Sequence, residues 1–255
     1  MIELKTKEEI AKLKYSNQIV AEILQILKEN IKPGITGVDL DKMARELCEK
    51  KGVKPAFLGL YGFPAALCVS INEEIVHGIP KKDRIFKEGD LVSIDFGVVV
   101  DGWYGDAAIT VPVGKISDRK KRLLEGVEKA LDEAIKQCYP GNSLLNVSKA
   151  IETTLKKYRL SPICEYGGHG IGRKPHEEPF VSNCLINAED ITLKPGMVLA
   201  IEPMATLGKG DVRKLKDDWT VVSKDKSYAA HFEHSVAITE NGPIVLSKLD
   251  WGKNG

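Results

Sequence analysis

The chain has 255 residues, with 37 lysines and arginines against 36 aspartates and glutamates, for a formal net charge of +1. This length can bury a sizeable core as one large or two small domains, and a nearly neutral charge gives no reason to expect a nucleic acid or an anionic membrane as partner. The apolar runs are too short to span a bilayer. The charged N-terminus, MIELKTKEEI, lacks the apolar core of a secretion signal, which predicts a cytoplasmic protein.

The number and spacing of the cysteines indicate the redox state of the compartment. They are odd in number and form no C-x-x-C pair, so reduced thiols in a reducing compartment are expected. They are Cys48, Cys68, Cys138, Cys164 and Cys184.

Two helices are predicted at the start of the chain. Thr6 and Glu9 have the spacing of a capping box, and apolar residues then follow at approximately helical spacing until Pro33-Gly34. The elements expected next are a helix over about 38–51, a buried strand over 65–71, a turn at 72–73 and a short return strand over 75–78.

A β-hairpin is predicted over residues 91–111. Its two arms, 91–100 and 103–111, are rich in β-branched and aromatic residues, and Asp101-Gly102 between them is a strong two-residue turn signal. We therefore pair Val100 with Trp103.

This register places two carboxylates on one face of the hairpin. Asp106 lies opposite Gly97, and Asp95 becomes its diagonal neighbour at roughly 7–8 Å. A single aspartate in a strand is more often satisfied by backbone N–H groups, but two on an apolar face are costly without a positive charge. Because no lysine or arginine lies between Lys87 and Thr110, we favour a divalent cation held by oxygen ligands.

An internal repeat with an offset of 107 residues extends this pattern. A further helix is predicted from its cap at Ser117 to about Cys138, and Pro140-Gly141 after it repeats Pro33-Gly34. The segment KEGDLVSID, ending at Asp95, matches KPGMVLAIE, ending at Glu202, at the same offset. The repeat predicts a duplicated unit of two helices, a strand and a hairpin, related by a pseudo-two-fold that brings both carboxylates to one site. Chance similarity between two strands that each follow a helix is the alternative.

Two later segments supply further candidate ligands. The run GGHGIG at 167–172 has the wrong spacing for a dinucleotide-binding loop and is followed by no helical pattern, so its glycines are expected to present His169. Residues 229–238 are predicted as a strand with Glu233 near its middle. A lone histidine beside a strand is more often a core residue. Four carboxylates and one imidazole together can bridge two divalent ions about 3.5–4 Å apart.

Five motifs in order give the chain a family resemblance over essentially its whole length. They are CVSINEEIVHGIP at 68–80, the DFG and YGDA pieces of the hairpin, GHGIG with HEEP, AIEPM at 200–204 and HFEHS at 231–235. With these motifs the sequence resembles type I methionine aminopeptidases. The resemblance implies an α+β pita-bread fold, in which pseudo-two-fold duplicated helix–helix–β-hairpin units surround a central curved antiparallel sheet. It also implies one catalytic domain over 1–255, with repeats at about 1–112 and 113–247.

The resemblance also implies the metal ligands. Asp95 would chelate one ion, Asp106 and Glu233 would bridge two, and His169 and Glu202 would hold the other. The two divalent ions would be cobalt, manganese, iron(II) or zinc, and the ligand types do not choose among them. A water between the ions would attack the peptide bond after the first methionine.

The same resemblance implies catalytic and substrate-binding residues. Glu202 would shuttle the proton of the water, His176 would stabilise the tetrahedral intermediate, and His77 would lie near the peptide nitrogen. The methionine pocket would be lined by Phe57, Phe63, Cys68 and Trp219. Leu60 and Pro175 replace aromatic residues of many relatives, so the outer pocket is expected to differ in shape and to alter the affinity for methionine.

The implied partner is the N-terminal methionine of nascent polypeptides or short peptides, with a small residue preferred after it. The ribosome surface is a candidate partner, and we expect a monomer with no nucleic-acid specificity and no membrane association. We also expect neither the N-terminal zinc-binding extension nor the long helical insertion of some relatives. One alternative is an X-Pro aminopeptidase or dipeptidase of the same fold, which usually has a separate N-terminal domain. The other is a non-enzymatic pita-bread binding module, which would lose metal ligands.

Overall fold

The computed structural model describes residues 2–249 of the chain. Its helices are α1 (Lys7–Asn30), α2 (Gly37–Lys51), α3 (Asp118–Ile135) and α4 (Leu144–Lys157). Its strands are β1 (Lys54–Pro55), β2 (Leu67–Ile71), β3 (Glu74–Val76), β4 (Leu91–Val100), β5 (Trp103–Pro112), β6 (Ser161–Pro162), β7 (Gly167–Gly170), β8 (Glu177–Ser182), β9 (Val198–Ile201), β10 (Met204–Thr206), β11 (Val212–Lys214), β12 (Val221–Ser223), β13 (Ala229–His231), β14 (His234–Thr239) and β15 (Gly242–Val245). The strand pairings are antiparallel, which confirms the predicted α+β class.

The first helix has the predicted capping box. The Thr6 hydroxyl accepts from the backbone N–H of Glu9, and the Glu9 carboxylate accepts from the backbone N–H of Thr6. Together these bonds satisfy two of the free donors at the helix start. The buried face of α1 packs against β4 and β5, so the helix backs the strands that present the two hairpin carboxylates.

The predicted hairpin register is confirmed. Val100 pairs with Trp103, Gly97 with Asp106, and Asp95 with Ala108. Strand β4 also pairs with β2 and β1, giving a four-stranded sheet with β5. The hairpin is therefore anchored along one edge by β1 and β2 and on one face by the helix behind it.

The second half repeats the helix pair and adds a larger sheet. Helix α3 begins after Ser117 as predicted, although the Ser117 side chain makes no capping hydrogen bond, and it ends at Ile135 rather than near Cys138. Helix α4 is the second helix that the repeat predicts for this half, without a residue range. Both helices cover a five-stranded sheet of order β15-β14-β9-β7-β8 and share one apolar core with it.

Two neighbouring extended segments, 198–206 and 229–239, are each interrupted between two strands, and the interruptions lie side by side. Strand β9 pairs with β14 up to Ile201 and His234, and β10 pairs with β13 from Met204 and His231. Glu202 and Glu233 lie in the gap between these pairings. The prediction of one continuous strand over 229–238 is therefore wrong, because the chain leaves one sheet at Glu233 and enters another.

Matched backbone contacts support the predicted duplication, which stays a prediction. Thr36 bridges to Ile85, and 107 residues later Ser143 bridges to Thr192. The amide of Gly34 donates to Phe86, and at the same offset that of Gly141 donates to Leu193. The expected domain 1–255 includes residues 1 and 250–255, which lie outside the described residues.

The expectation of five reduced thiols is wrong for one pair. Cys164 and Cys184 form a disulfide, with their Cα atoms 5.3 Å apart, while the other three cysteines are free and buried. The two are 20 residues apart in sequence, but pairing of Gly167 with Ser182 brings their neighbourhoods together. Within residues 2–249, every helix is too short or too polar to cross a membrane.

Candidate active site and metal centre

The sequence-predicted residues meet at one cavity of about 170 Å³. It contains all five predicted metal ligands, the two predicted catalytic histidines and the four predicted pocket residues. Its lining consists of Phe57, Leu60, Tyr61, Phe63, Cys68, His77, Asp95, Asp106, His169, His176, Glu202, Trp219 and Glu233.

The two hairpin carboxylates are held by regular strands. Asp95 lies between Cys68 of β2 and Ala108 of β5 in the sheet. The backbone N–H of Asp106 donates to the Asn17 side chain of α1 at 3.2 Å, and its carbonyl accepts from the Ser235 hydroxyl at 2.9 Å. Helix, hairpin and second-half sheet therefore fix this residue together.

The other two carboxylates come from the strand breaks. The backbone N–H of Glu233 donates to Ala108 of β5 at 2.9 Å, which ties the break to the hairpin. The carbonyl of Glu202 accepts from the Asn183 side chain at 3.2 Å. Because the pairing is interrupted here, both side chains reach the cavity instead of following the strand alternation.

His169 points one ring nitrogen at the carboxylates. Its Nδ1 lies 3.0 Å from the carbonyl oxygen of Gly170, which can only accept, so the proton belongs on Nδ1 and Nε2 is free as a ligand. Nε2 is 3.5 Å from Glu202 Oε1. A Cβ on the preceding Gly168 would lie 2.1 Å from the carbonyl oxygen of Ala200, so the close approach of β7 to β9 requires glycine.

Burial governs the charge of the cluster. It raises the pKa of Asp95 to about 7 and the pKa values of Asp106, Glu202 and Glu233 well above their ordinary range, with mutual repulsion adding to the rise at Asp106 and Glu233. It lowers the pKa of His169 to about 3. The buried site therefore disfavours both bare carboxylates and a protonated imidazole.

The donor set fits a divalent cation. Among the described residues, one buried oxygen each of Asp95, Asp106 and Glu233 lacks a hydrogen-bond partner. Asp106, His169 and Glu233 each offer a ligand atom within 4.8 Å of the others. A cation between them would offset the repulsion and occupy the unpaired oxygens, as carboxylate and imidazole ligands do for transition metals.

The two further histidines flank the carboxylates. His77 follows β3 with φ of 57°, an uncommon conformation for a non-glycine residue, and its ring packs edge-on to Tyr166 with centroids 5.8 Å apart. Burial lowers its pKa to about 4. His176 lies in the turn before β8, with its ring centroid 4.5 Å from that of His169.

An apolar wall faces the metal-ligand cluster. Phe57, Phe63 and Cys68 are buried in one small cluster, with Trp219 packed against them. The rings of Phe63 and Trp219 meet edge to face at 5.1 Å. Burial raises the pKa of the Cys68 thiol, so the wall presents a neutral sulfur beside aromatic rings, which suits a thioether.

Two residues of the site were missed by sequence reasoning. Tyr61 is 76% exposed and stacks on His176 with centroids 6.4 Å apart. The signal available in the sequence was its position between Gly59 and Gly62. His231 is buried, with Nε2 3.2 Å from Glu202 Oε2. It lay in the HFEHS motif, where only Glu233 was assigned.

Comparison with known proteins agrees with this architecture. A model of metallopeptidase family M24 matches residues 11–240. The methionine aminopeptidase of Aquifex aeolicus is 51% identical, with 97% of this chain and 99% of that protein covered. Methionine aminopeptidase 1 of Bacillus subtilis is 45% identical, with 98% of this chain and 100% of that protein covered.

The fold is equally similar. The crystal structure of methionine aminopeptidase from Thermotoga maritima aligns with a TM-score of 0.95 at 44% identity, with 98% of this chain and 100% of that chain covered. The predicted pita-bread fold is confirmed by this match. Because the family model spans most of the sequence and near full-length relatives exceed 30% identity, this chain belongs to metallopeptidase family M24.

Proposed function

We propose that this protein is a methionine aminopeptidase, a metal-dependent hydrolase that removes the N-terminal methionine from polypeptides. Relatives of that name match it over nearly its whole length. The observation that best supports the assignment is the pairing, within one small cavity, of a buried carboxylate–imidazole cluster with a neutral, sulfur-containing aromatic wall.

The ligand assignment extends this proposal residue by residue. Asp95 would hold one divalent ion, Asp106 and Glu233 would lie between two, and His169 and Glu202 would hold the second. When bound, such ions supply an activated water and polarise the scissile carbonyl. The unpaired buried oxygens of Asp95, Asp106 and Glu233 support bound cations at this site, because each oxygen would then have a partner.

The remaining residues orient the substrate and move protons. Glu202 would take the proton of the attacking water, because its carboxyl lines the cavity beside His169 and His231. His176 donates to the oxygen that gains charge on the scissile carbon. His77, held neutral by burial, approaches the peptide nitrogen from the other side.

The cavity also sets the specificity. The first side chain would enter between Phe57, Phe63 and Trp219, opposite the carboxylates. Leu60 lines the cavity and Tyr61 stands at its mouth, so a bulky second residue meets a ring and a branched side chain. Small second residues are therefore favoured. Pro175 is buried and lies outside the lining, so its effect on the outer pocket is indirect.

Peptide hydrolysis with defined metal content tests this function. The metal-free protein is loaded separately with manganese, cobalt, iron(II) or zinc, and initial rates are compared on Met-Ala-Ser, Met-Leu-Ser and Ala-Pro peptides. We expect the initial rate of cleavage to be higher for Met-Ala-Ser than for Met-Leu-Ser or the Ala-Pro peptide. Preferred cleavage of Ala-Pro would indicate an X-Pro peptidase, and a metal-replete protein without activity on any short peptide would indicate a binding module.

We further propose a cytoplasmic monomer that meets nascent chains at the ribosome surface. Peptides with an N-terminal methionine and an unfolded chain behind it are most abundant there. Sedimentation alone and with ribosomes at several salt concentrations measures both the mass and the association. A stable dimer, or no cosedimentation at low salt, would contradict this part of the proposal.

A further inference from the structure

His231 is a buried histidine at the metal-ligand cluster to which no role has yet been given. It is the last residue of β13, directly before the break that contains Glu233, and it is 1% exposed. Thr110 of β5 holds its backbone: the hydroxyl donates to the His231 carbonyl at 2.7 Å and accepts from its N–H at 2.9 Å. The imidazole is thus fixed on regular structure shared by both halves of the site.

The ring nitrogen is close to a carboxylate without being hydrogen-bonded to it. Nε2 lies 3.2 Å from Glu202 Oε2, yet it has no hydrogen-bond partner among the described residues. Two ligands of one ion at about 2.1 Å are separated by about 3.0–3.4 Å and point at the ion instead of at each other. The observed distance and the missing alignment both match that arrangement.

The neighbouring side chains complete a ligand set. Glu202, His231 and Glu233 each offer an atom within 4.8 Å of the others. An imidazole with two carboxylates is a donor set typical of manganese, iron, cobalt or zinc. It shares Glu233 with the other group of possible ligands, which adds Asp106 and His169.

We propose that His231 is a sixth protein ligand, bound through Nε2 to the ion held by Glu202 and Glu233. The proposal rests on the metal-dependent function proposed above and adds a nitrogen to its ligand set. It predicts that the second ion, which His169 and Glu202 would hold, has two imidazole ligands, His169 and His231.

Cobalt binding to the full-length metal-free protein tests the ligand. Calorimetry and visible absorption are compared for the wild type, His231→Gln and His234→Gln. Glutamine keeps a side-chain N–H that can donate to Glu202 but removes the imidazole nitrogen. His234 is a matched control, because it lies three residues away and bonds through Nδ1 to Ser247 at 2.8 Å.

We expect His231→Gln to weaken one cobalt equivalent by at least about tenfold and to change the absorption spectrum, with His234→Gln like the wild type. Unchanged affinity and spectrum in His231→Gln would overturn the proposal and leave a hydrogen bond to Glu202 as its role. Thermal unfolding of each metal-free variant checks that it is folded.

A measurement on the wild type avoids dependence on a variant. Proton NMR of the cobalt-loaded protein, labelled with ¹⁵N-histidine, should show hyperfine-shifted ring N–H signals from two metal-bound imidazoles. A signal from only one metal-bound imidazole would overturn the proposal. Hydrolysis of Met-Ala-Ser is measured on the same sample. An active sample with one imidazole signal rejects only the sixth ligand, whereas an inactive one rejects the proposed function.

Discussion

Replacing Lys5 with methionine should slow catalysis from outside the cavity. The Lys5 ammonium lies 2.6 Å from Glu177 Oε2 and 3.3 Å from Glu3 Oε2, and the three side chains are 4%, 12% and 68% exposed. Glu177 Oε1 also accepts from the backbone N–H of Lys174 at 3.1 Å. Glu177 directly follows His176, so this buried pair holds the turn that presents the histidine.

The magnitude follows from the burial of the pair. Removing one partner of a buried ion pair costs about 3–5 kcal/mol, because the other charge is left uncompensated. Glu177 keeps the Lys174 amide and some solvent, so we expect the lower end, about 3 kcal/mol. At roughly 2–4 °C for each kcal/mol in a chain of this size, the unfolding midpoint should fall by about 6–12 °C. Glu3→Gln removes the exposed partner and should cost at most about 1 kcal/mol.

Thermal unfolding and steady-state kinetics on Met-Ala-Ser measure the two effects. For Lys5→Met we expect kcat to fall roughly ten- to a hundredfold through misplacement of His176, with KM and bound metal little changed. Combining Lys5→Met with Glu177→Leu should restore most of the stability, since no charge is then left buried. The reasoning is refuted if Lys5→Met loses no more stability than Glu3→Gln.

Three further predictions concern the cluster itself. Asp106→Asn or Glu233→Gln should abolish turnover and lower the metal content found by elemental analysis, because each removes the charge of a carboxylate proposed to bind both ions. His176→Ala should slow turnover by roughly 10²–10³-fold with the metal content unchanged. In chelated protein, burial raises the pKa of Asp95 to about 7 and that of Asp106 higher, so the folded state holds protons that the unfolded state has lost. Its unfolding midpoint should therefore fall as pH rises from about 7.5 to about 9, where the histidines of the unfolded chain hold few protons, and should recover when manganese is added. A midpoint that stays level or rises over that range would contradict the shifts.

Local chemistry explains what the sequence could predict. Asp101-Gly102 fixes the hairpin register by its turn geometry, and a register once fixed decides which side chains share a face. The Asp95 and Asp106 placement followed from those two residues alone. The capping box at Thr6 is local in the same way, and the structure contains both of its bonds.

The features that the sequence could not predict depend on pairing between segments that are distant in the chain. The break at Glu233 depends on β13 and β14 pairing with two different partners, which alternation along the strand does not reveal. The disulfide depends on β7 pairing with β8. The burial of Lys5 depends on Glu177, which is 172 residues away, and a charged N-terminal segment otherwise indicates a solvated surface.

The size of the cavity limits when the protein can act. Sites for drug-sized ligands have volumes of about 300–1,000 Å³, whereas this one has about 170 Å³, enough for one side chain and the backbone next to it. We therefore expect a free chain end to enter more readily than a segment from the middle of a chain. The N-terminus of the substrate must also be accessible and not packed into the folded substrate protein. Folding of the substrate therefore competes with its cleavage. Substrates whose first residues become buried early should escape processing even when their sequence is favourable.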